Sequence, residues 1–303
     1  MNIFLIGMPG CGKSRTAKFL QEAYGYTIVD LDAYIVKMAN AKIDKIMTRG
    51  LAYFRQLEHQ ALKRINDQHD RVVVACGGGI VTNSINKEVM KKGLTIYLNA
   101  DVELIKQHLK HSNTVRPLLK TKTVEELYDE RKDLYLDFAD QVIDYKDYQS
   151  AASTIDKIVK NIKRILVING PNLNMLGLRD PKHYGSLTLD KINYIMAEEK
   201  MFEFEFFQSN WEGAIIDKIQ TYKNYDGIII NPAAYTHTSV AIHDALEIVD
   251  IPKVEVHLSM VDERETFRKI NFIHDVVDVC FQGEKEQSYL KAVEYLKNKL
   301  IML

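Results

Sequence analysis

The sequence predicts an α/β protein of two three-layer α/β/α domains, residues 1–162 and 164–303. Three observations predict it. A chain of 303 residues is long for one ordinary domain and suits two of roughly 150. Near the N-terminus the apolar run Ile3 to Ile6 passes through the pattern G-x-x-x-x-G-K-S, Gly7 to Ser14, into a helical pattern. That strand, glycine-rich turn and helix are the context of a phosphate-binding P-loop. From residue 165 onward, short apolar runs alternate with helical patterns, as in a parallel sheet covered on both faces.

Composition sets the class. Hydrophobic residues at 46% and charged residues at 27% suit a globular protein that buries real cores. Lys+Arg 40 against Asp+Glu 41 gives a net charge of -1, which favours neither nucleic acid nor an anionic membrane surface. Cys11, Cys76 and Cys280 are too scattered for a zinc pattern or a disulfide framework. No apolar run approaches the ~20 residues of a membrane span. The N-terminus enters a strand instead of a signal peptide, so the expected location is cytoplasmic, with no membrane partner.

In the P-loop, backbone N–H groups of Gly7, Gly10, Cys11 and Gly12, and of Lys13, Ser14 and Arg15 where the helix starts, are placed to meet phosphates. Lys13 reaches the β/γ oxygens and Ser14 offers its hydroxyl to Mg²⁺. The expected ligand is a nucleoside triphosphate. Tyr26 to Val29 then reads as a short strand ending in Asp30-Leu31-Asp32, two carboxylates expected to point the same way beside the phosphate turn. One suits water-mediated Mg²⁺ binding and the other a substrate hydroxyl. Arg55 and Glu58 have the i,i+3 spacing of a helical side-chain pair. Val72 to Ala75 is a continuous apolar strand running into Gly77-Gly78-Gly79, where backbone can approach a ligand closely.

GMPGCGKS, the Asp30/Asp32 pair, FRxxE at 54–58, GGG at 77–79, RPLL at 116–119 and RxxLY at 131–135, taken in order, resemble shikimate kinase over residues 1–162. The resemblance implies ATP with Mg²⁺ as cofactors and shikimate as substrate. It implies that Asp32, Arg55, Gly78, Gly79 and Arg131 hold shikimate, the two arginines pairing with its carboxylate through planar guanidinium forks. Arg116 would close over the γ-phosphate from a lid, Asp32 would orient the attacking 3-hydroxyl, and Ser14 and Asp30 would attend the metal. The chain departs from the family pattern at Arg15, Leu51 and Asp133, and at Leu109-Lys110, where no arginine stands to flank the adenine.

Ile155, Ile158, Val159 and Ile162 mark a helical face over 153–163 that closes the first domain. No Gly/Ser/Pro-rich spacer separates it from ILVIN at 165–169. Strands are expected at 165–169, 202–207, 227–231, 253–257 and 276–280, with a final helix from about 285. Five parallel strands with helices between give a flavodoxin-like sheet whose ligands belong at the strands' C-terminal ends. Polar residues collect there: Asn-Gly-Pro-Asn-Leu-Asn after the first strand, Asn231 after the third, and Glu255-Val256-His257 after the fourth. The 17-residue loop 170–186 carries Arg179 and Tyr184 and is long enough to suggest function.

NGPNLNxLGxRxPxxYG (169–185), QSNxEG (208–213), NPAAYTHTSVAIxDA (231–245), VEVHLS (254–259) and RExFR (264–268) resemble type II 3-dehydroquinate dehydratase over 164–303. The resemblance implies dehydration of 3-dehydroquinate without a cofactor. A free tyrosine, with pKa about 10, is only ~0.1% phenolate at neutral pH, so Tyr184 needs a cation to act as base, and Arg179 is the candidate. Asn172 with a bound water would stabilise the enolate, and His257, oriented by Glu255, would protonate the leaving hydroxyl. Asn231, His237, Arg268 and the backbone amides of Leu258 and Ser259 would bind substrate. Arg264 would support the site, and Asp244 would reach a neighbouring subunit. Met260 stands where the family has Asn. Family members assemble as trimers and dodecamers, so a homo-oligomer is expected. Two other classes are weighed. An FMN module or phospho-receiver needs a hydroxyl-rich loop or an acidic pair after the first strand, and 169–174 provides neither. The kinase half as a degenerate, nucleotide-sensing regulator leaves Asp32, Arg55 and Arg131 without a reason to coincide.

Overall fold

The computed structural model describes residues 1–110, 122–263 and 265–301. The chain divides into two compact units, one of Met1–Lys160 and one beginning at Asn161. In the first, strands β1 (Ile3–Ile6), β2 (Thr27–Asp30), β3 (Val72–Ala75), β4 (Leu94–Ala100) and β5 (Gln141–Tyr145) form a sheet of order β2-β3-β1-β4-β5. Every pairing in it is parallel. Its helices are α1 (Lys13–Tyr24), α2 (Leu31–Ala39), α3 (Ile43–Met47), α4 (Leu51–Gln68), α5 (Ile85–Met90), α6 (Val102–Lys110), α7 (Val124–Phe138) and α8 (Tyr148–Lys160). β1 and β3 are apolar at every position and buried throughout, as strands covered on both faces must be. Gly25, in a left-handed conformation at φ 77°, ends α1, and a Thr123/Glu126 capping box starts α7.

In the second unit β6 (Lys163–Asn169), β7 (Phe202–Gln208), β8 (Gly227–Asn231), β9 (Lys253–His257) and β10 (Val279–Gln282) form a parallel sheet of order β10-β9-β8-β6-β7. Its helices are α9 (Pro181–Tyr184), α10 (Leu189–Met196), α11 (Glu212–Ile219), α12 (Val240–Glu247) and α13 (Glu286–Leu300). Strand periodicity produces the layers directly. Ile165 and Val167 of β6 pack with Ile192 of α10 and Leu296 of α13, whereas Leu166 and Ile168 pack with Ile215 of α11 and Ile242 of α12. In β9, Val254 and Val256 join the α10/α13 layer, which turns Glu255 and His257 to the other face.

Several expected boundaries move. The helix expected over 153–163 is Tyr148–Lys160, because Lys163 already pairs with Phe202 at the start of β6. The strand expected at 276–280 is Val279–Gln282. Asp278 closes its entry, exchanging its own N–H and a carboxylate oxygen with the Lys253 backbone, while Val276 and Val277 pack on the core instead. The 170–186 loop contains a 3-10 turn at Leu173–Met175 and the short α9. β4 and β5, which no motif marks, are assigned to no strand by the sequence reading. Asp30 and Asp32 do not share an extended segment: Asp30 caps α2, accepting from Ala33 N at 3.0 Å, and Asp32 lies in its first turn. Among the described residues no helix is long and apolar enough to cross a membrane.

Candidate functional sites

The first site sits at the C-terminal ends of β1, β2 and β3. Gly7, Gly10 and Gly12 have φ of 143°, 89° and 98°, a region side chains rarely adopt. Gly12 is also sterically required, since a Cβ there would lie 2.1 Å from Tyr145 Oη. Lys13 is buried, and its ammonium donates to the carbonyls of Gly7 at 2.8 Å and Met8 at 2.9 Å. His108 of α6 donates through Nδ1 to the Gly10 carbonyl at 2.9 Å, and Leu109 lines the space beside Gly10. Ser14 Oγ donates to Asp30 Oδ2 at 3.2 Å. A hydroxyl and a carboxylate so close, both hard oxygen donors next to a phosphate-binding turn, suit Mg²⁺.

The other carboxylate of the pair turns elsewhere. A Cβ on Gly77 would lie 3.2 Å from Asp32 Oδ1 and 3.0 Å from Glu58 Oε1, so the two carboxyls flank that glycine. Arg55 Nη1 meets Glu58 Oε2 at 2.7 Å, and its guanidinium lies where a Gly79 side chain would be. Arg131 Nη1 donates to the Gly78 carbonyl at 3.0 Å, and the buried Tyr135 hydroxyl donates to the same oxygen. Gly78 in turn abuts Pro9 of the P-loop. The structure thus gathers Asp32, Arg55, Gly78, Gly79 and Arg131 around one turn beside Lys13. Arg116 and Arg264 lie outside the described residues. Sequence reasoning gave no role to His108, Tyr135 and Tyr145; Tyr135 stands in the RxxLY motif without one, and His108 and Tyr145, outside any motif, carry no signal until the sheet brings them to the turn.

Glu58 is completely buried, and burial pushes its carboxyl up to about 7, with Arg55 and Arg131 opposing and Asp32 adding to the rise. The unfolded chain gives up this proton near the ordinary 4.5, whereas the folded chain keeps it to about 7. Between those values the unfolded state binds fewer protons, so stability falls as pH rises and levels off above about 7. Glu58→Gln removes that dependence. From about pH 5 to about pH 8 the variant's stability relative to the parent chain should rise by up to about 3 kcal/mol. Urea unfolding of the first unit at both pH values measures it; a difference independent of pH would mean Glu58 is ionised throughout.

In the second unit, Asn172, Arg179, Tyr184, Asn231, His237, His257, Leu258, Ser259 and Arg268 line one cleft at the C-terminal edge of the sheet. Pro181 at the start of α9 and Asp180, which caps it through Lys182 N at 2.9 Å, set Tyr184 one turn on. The Arg179 guanidinium stacks on the Tyr184 ring, 3.7 Å from its centroid. Asn172 adopts a left-handed φ of 66°, which asparagine tolerates, and its N–H donates to Asn210 Oδ1 at 2.9 Å. Asn231 Nδ2 donates to the buried Tyr289 hydroxyl at 3.0 Å, which donates onward to Asn169.

His257 Nε2 donates to Glu255 Oε1 at 2.6 Å, and both residues are buried. Burial acts to raise the Glu255 carboxyl, but the bond and charge of His257, with bonds from Asn271 and Cys280, outweigh it and hold it below its ordinary value. His237 Nδ1 donates to the Ile270 carbonyl at 2.6 Å. Burial, helped by the Arg268 and His257 charges, presses its imidazole below its ordinary value, so it stands neutral with Nε2 as an acceptor. Asp244 does not join the cleft; it is exposed on α12, 3.0 Å from His243 Nδ1. Met260 packs over Gly283.

Comparison with known proteins divides the chain at the same place. The family model for shikimate kinase matches residues 9–163, and that for dehydroquinase class II matches residues 163–297. A 3-dehydroquinate dehydratase of Haemophilus influenzae is 50% identical over 144 residues, 45% of this chain and 97% of that protein. A crystal structure of type II dehydroquinase from Butyrivibrio crossotus is 47% identical, covering 45% of this chain and 97% of its own, with a TM-score of 0.43. A shikimate kinase from Acinetobacter baumannii, solved in complex with shikimate, is 29% identical, covering 52% of this chain and 92% of its own, with a TM-score of 0.49.

Proposed function

Because the chain belongs to the shikimate kinase family over its first half and to the class II dehydroquinase family over its second, it is a bifunctional shikimate-pathway enzyme, and we propose how its residues divide the work. The kinase family uses ATP, typically with Mg²⁺; the metal, when bound, neutralises phosphate charge. Ser14 would hold it through its hydroxyl, and Asp30, 3.2 Å from that hydroxyl, would support it through water. Lys13 would leave the Gly7 and Met8 carbonyls to meet the phosphates. Arg55 and Arg131 would grip the carboxylate of shikimate, and Asp32 would orient and accept the proton of the hydroxyl that attacks. The observation that carries this reading is the Gly78 turn, which bears on Pro9 of the P-loop and holds Arg131 through its carbonyl.

In the second half the carrying observation is that one cleft joins Arg179 and Tyr184 to the Glu255–His257 pair. Tyr184 as phenolate would take the proton next to the ketone of 3-dehydroquinate, its negative charge met by the stacked Arg179. Asn172 would support the enolate. His257, with Nε2 engaged by Glu255, would deliver a proton from Nδ1 to the departing hydroxyl, which leaves as water. Neutral His237 would accept from a substrate hydroxyl through Nε2, while Asn231, Arg268 and the amides of Leu258 and Ser259 complete the grip. No cofactor enters this scheme. Assembly through this half, as trimer or dodecamer, belongs to the same reading, with Asp244 serving a neighbour's cleft. A need for ATP supports a cytoplasmic setting.

The two reactions are not consecutive. Dehydration gives 3-dehydroshikimate, whereas the kinase takes shikimate, and a carbonyl reduction separates them. Neither β1 nor β6 leads into the G-x-G-x-x-G turn of a dinucleotide site. Given 3-dehydroquinate and Mg-ATP, the protein should therefore accumulate 3-dehydroshikimate and form no shikimate 3-phosphate. Adding an NADPH-dependent shikimate dehydrogenase should start phosphorylation after a lag while free shikimate builds up. Phosphorylation without that enzyme would reveal a third activity; none after its addition would leave the first half a regulator.

A further inference from the structure

We propose that Asn271 is a positioning residue for dehydration, fixing the Glu255 carboxylate so that His257 keeps its proton aimed at the leaving hydroxyl. This rests on the reading of His257 as the acid. Asn271 lies in the connection between β9 and β10, outside the motifs that mark the cleft, and it does not line the cleft. Its Nδ2 donates to Glu255 Oε1 at 2.8 Å and to Oε2 at 3.0 Å. One amide group therefore spans both oxygens and fixes the plane of the carboxylate. Its own orientation is set at the other end, where Oδ1 accepts from Ile273 N at 3.0 Å, and Ile273 is fully buried. The chain of restraint runs from a core isoleucine through a side-chain amide to a buried carboxylate and then to His257.

Glu255 is fully buried, away from bulk solvent, so its ionised form depends on donors. The groups facing it are His257 two residues on, Asn271 from the connecting loop, and Cys280, its register partner on β10. Among the described residues, His237 and, behind it, Arg268 also bear on the pair. Asn271 is the donor among these that carries no titratable proton and can neither leave nor be lost with pH. Deleting it leaves the carboxylate more basic, and a more basic Glu255 takes the shared proton from His257. The acid is then neutralised in place, and the imidazole is free to rotate.

Two variants isolate the effect. Asn271→Leu removes both the donor and the acceptor. Asn271→Asp keeps an oxygen for Ile273 N but replaces the donor by a second carboxylate beside Glu255. In both, kcat for dehydration near neutral pH should fall by about 10- to 100-fold, as expected for a misaimed acid, with KM changing by less than about threefold. The pH profiles should part. In Asn271→Leu the acidic limb of kcat moves to higher pH, because Glu255 protonates more readily. In Asn271→Asp activity recovers as pH falls, because one proton shared by the two carboxyls lets Asp at 271 donate to Glu255 as the amide did. Simple damage to the loop would lower kcat without either movement. If His257→Ala is inactive while both Asn271 variants keep the parent kcat and pH profile, the positioning role is wrong. If His257→Ala is itself active, the acid assignment fails first. Should Asn271→Leu not fold, the recovery of Asn271→Asp at low pH decides alone.

Discussion

Lys13→Ala should lower shikimate phosphorylation by about 10³-fold or more and leave dehydration within about twofold. The expectation follows from where the ammonium lies. It is buried in the turn between β1 and α1, and its present partners are the Gly7 and Met8 carbonyls and the Cys11 sulfur, which carry at most partial charge. A transferring phosphoryl group bears far more negative charge than a carbonyl, so the ammonium gains most when that charge develops. Removing it takes a donor from both carbonyls, and Met8 keeps only the Cys11 N–H at 3.1 Å. Parallel assays of the two reactions on one preparation measure the effect. Loss of both activities with the fold intact would mean the two sites are not separate.

Tyr184→Phe should lower dehydration by about 10³-fold or more while leaving phosphorylation unchanged. The phenyl ring preserves the stack under Arg179, whose guanidinium is 3.7 Å from the ring centroid, and removes only the oxygen that would take the proton. The same assignment makes a statement about covalent chemistry. A dehydratase that works through an imine needs a lysine in reach of the substrate carbonyl. Among the described residues, those lining this cleft include arginine and histidine but no lysine. Borohydride added with 3-dehydroquinate should therefore leave the enzyme active. A reduced substrate–lysine adduct, or a Tyr184→Phe variant with parent activity, would end the assignment of Tyr184 as base.

How much of this was readable in advance depended on the kind of residue. Gly7, Lys13 and Ser14 were legible because phosphate binding forces a fixed spacing along a single strand–turn–helix. Arg179 and Tyr184 were legible for a similar reason, lying within one loop. Glu58 was legible as a partner of Arg55 but not as a buried carboxyl, since burial is a property of what covers α4 and not of its own periodicity. Asp30 and Asp32 were expected to point together; the helix that starts at Leu31 separates them, and a capping aspartate followed by a short apolar run was the available sign. Asn271 and Tyr289 carry no local signal. Their roles exist only because β9, β10 and α13 come together from distant parts of the sequence.

Because β1 lies in the middle of its sheet, between β3 and β4, it is synthesised before either neighbour. Its partners on β3 are Val73 to Ala75 and those on β4 are Leu94 to Tyr97, so the strand that carries the P-loop lacks its second neighbour until Tyr97 is made. At about 5–20 residues per second that interval is on the order of 5–20 s. During it a wholly apolar segment, buried at every position in the finished protein, is open to wrong partners. A nascent chain halted before Leu94 should thus be the most aggregation-prone form of the first unit, and a chain halted after Tyr145, with the fifth strand available, should already be able to close its sheet.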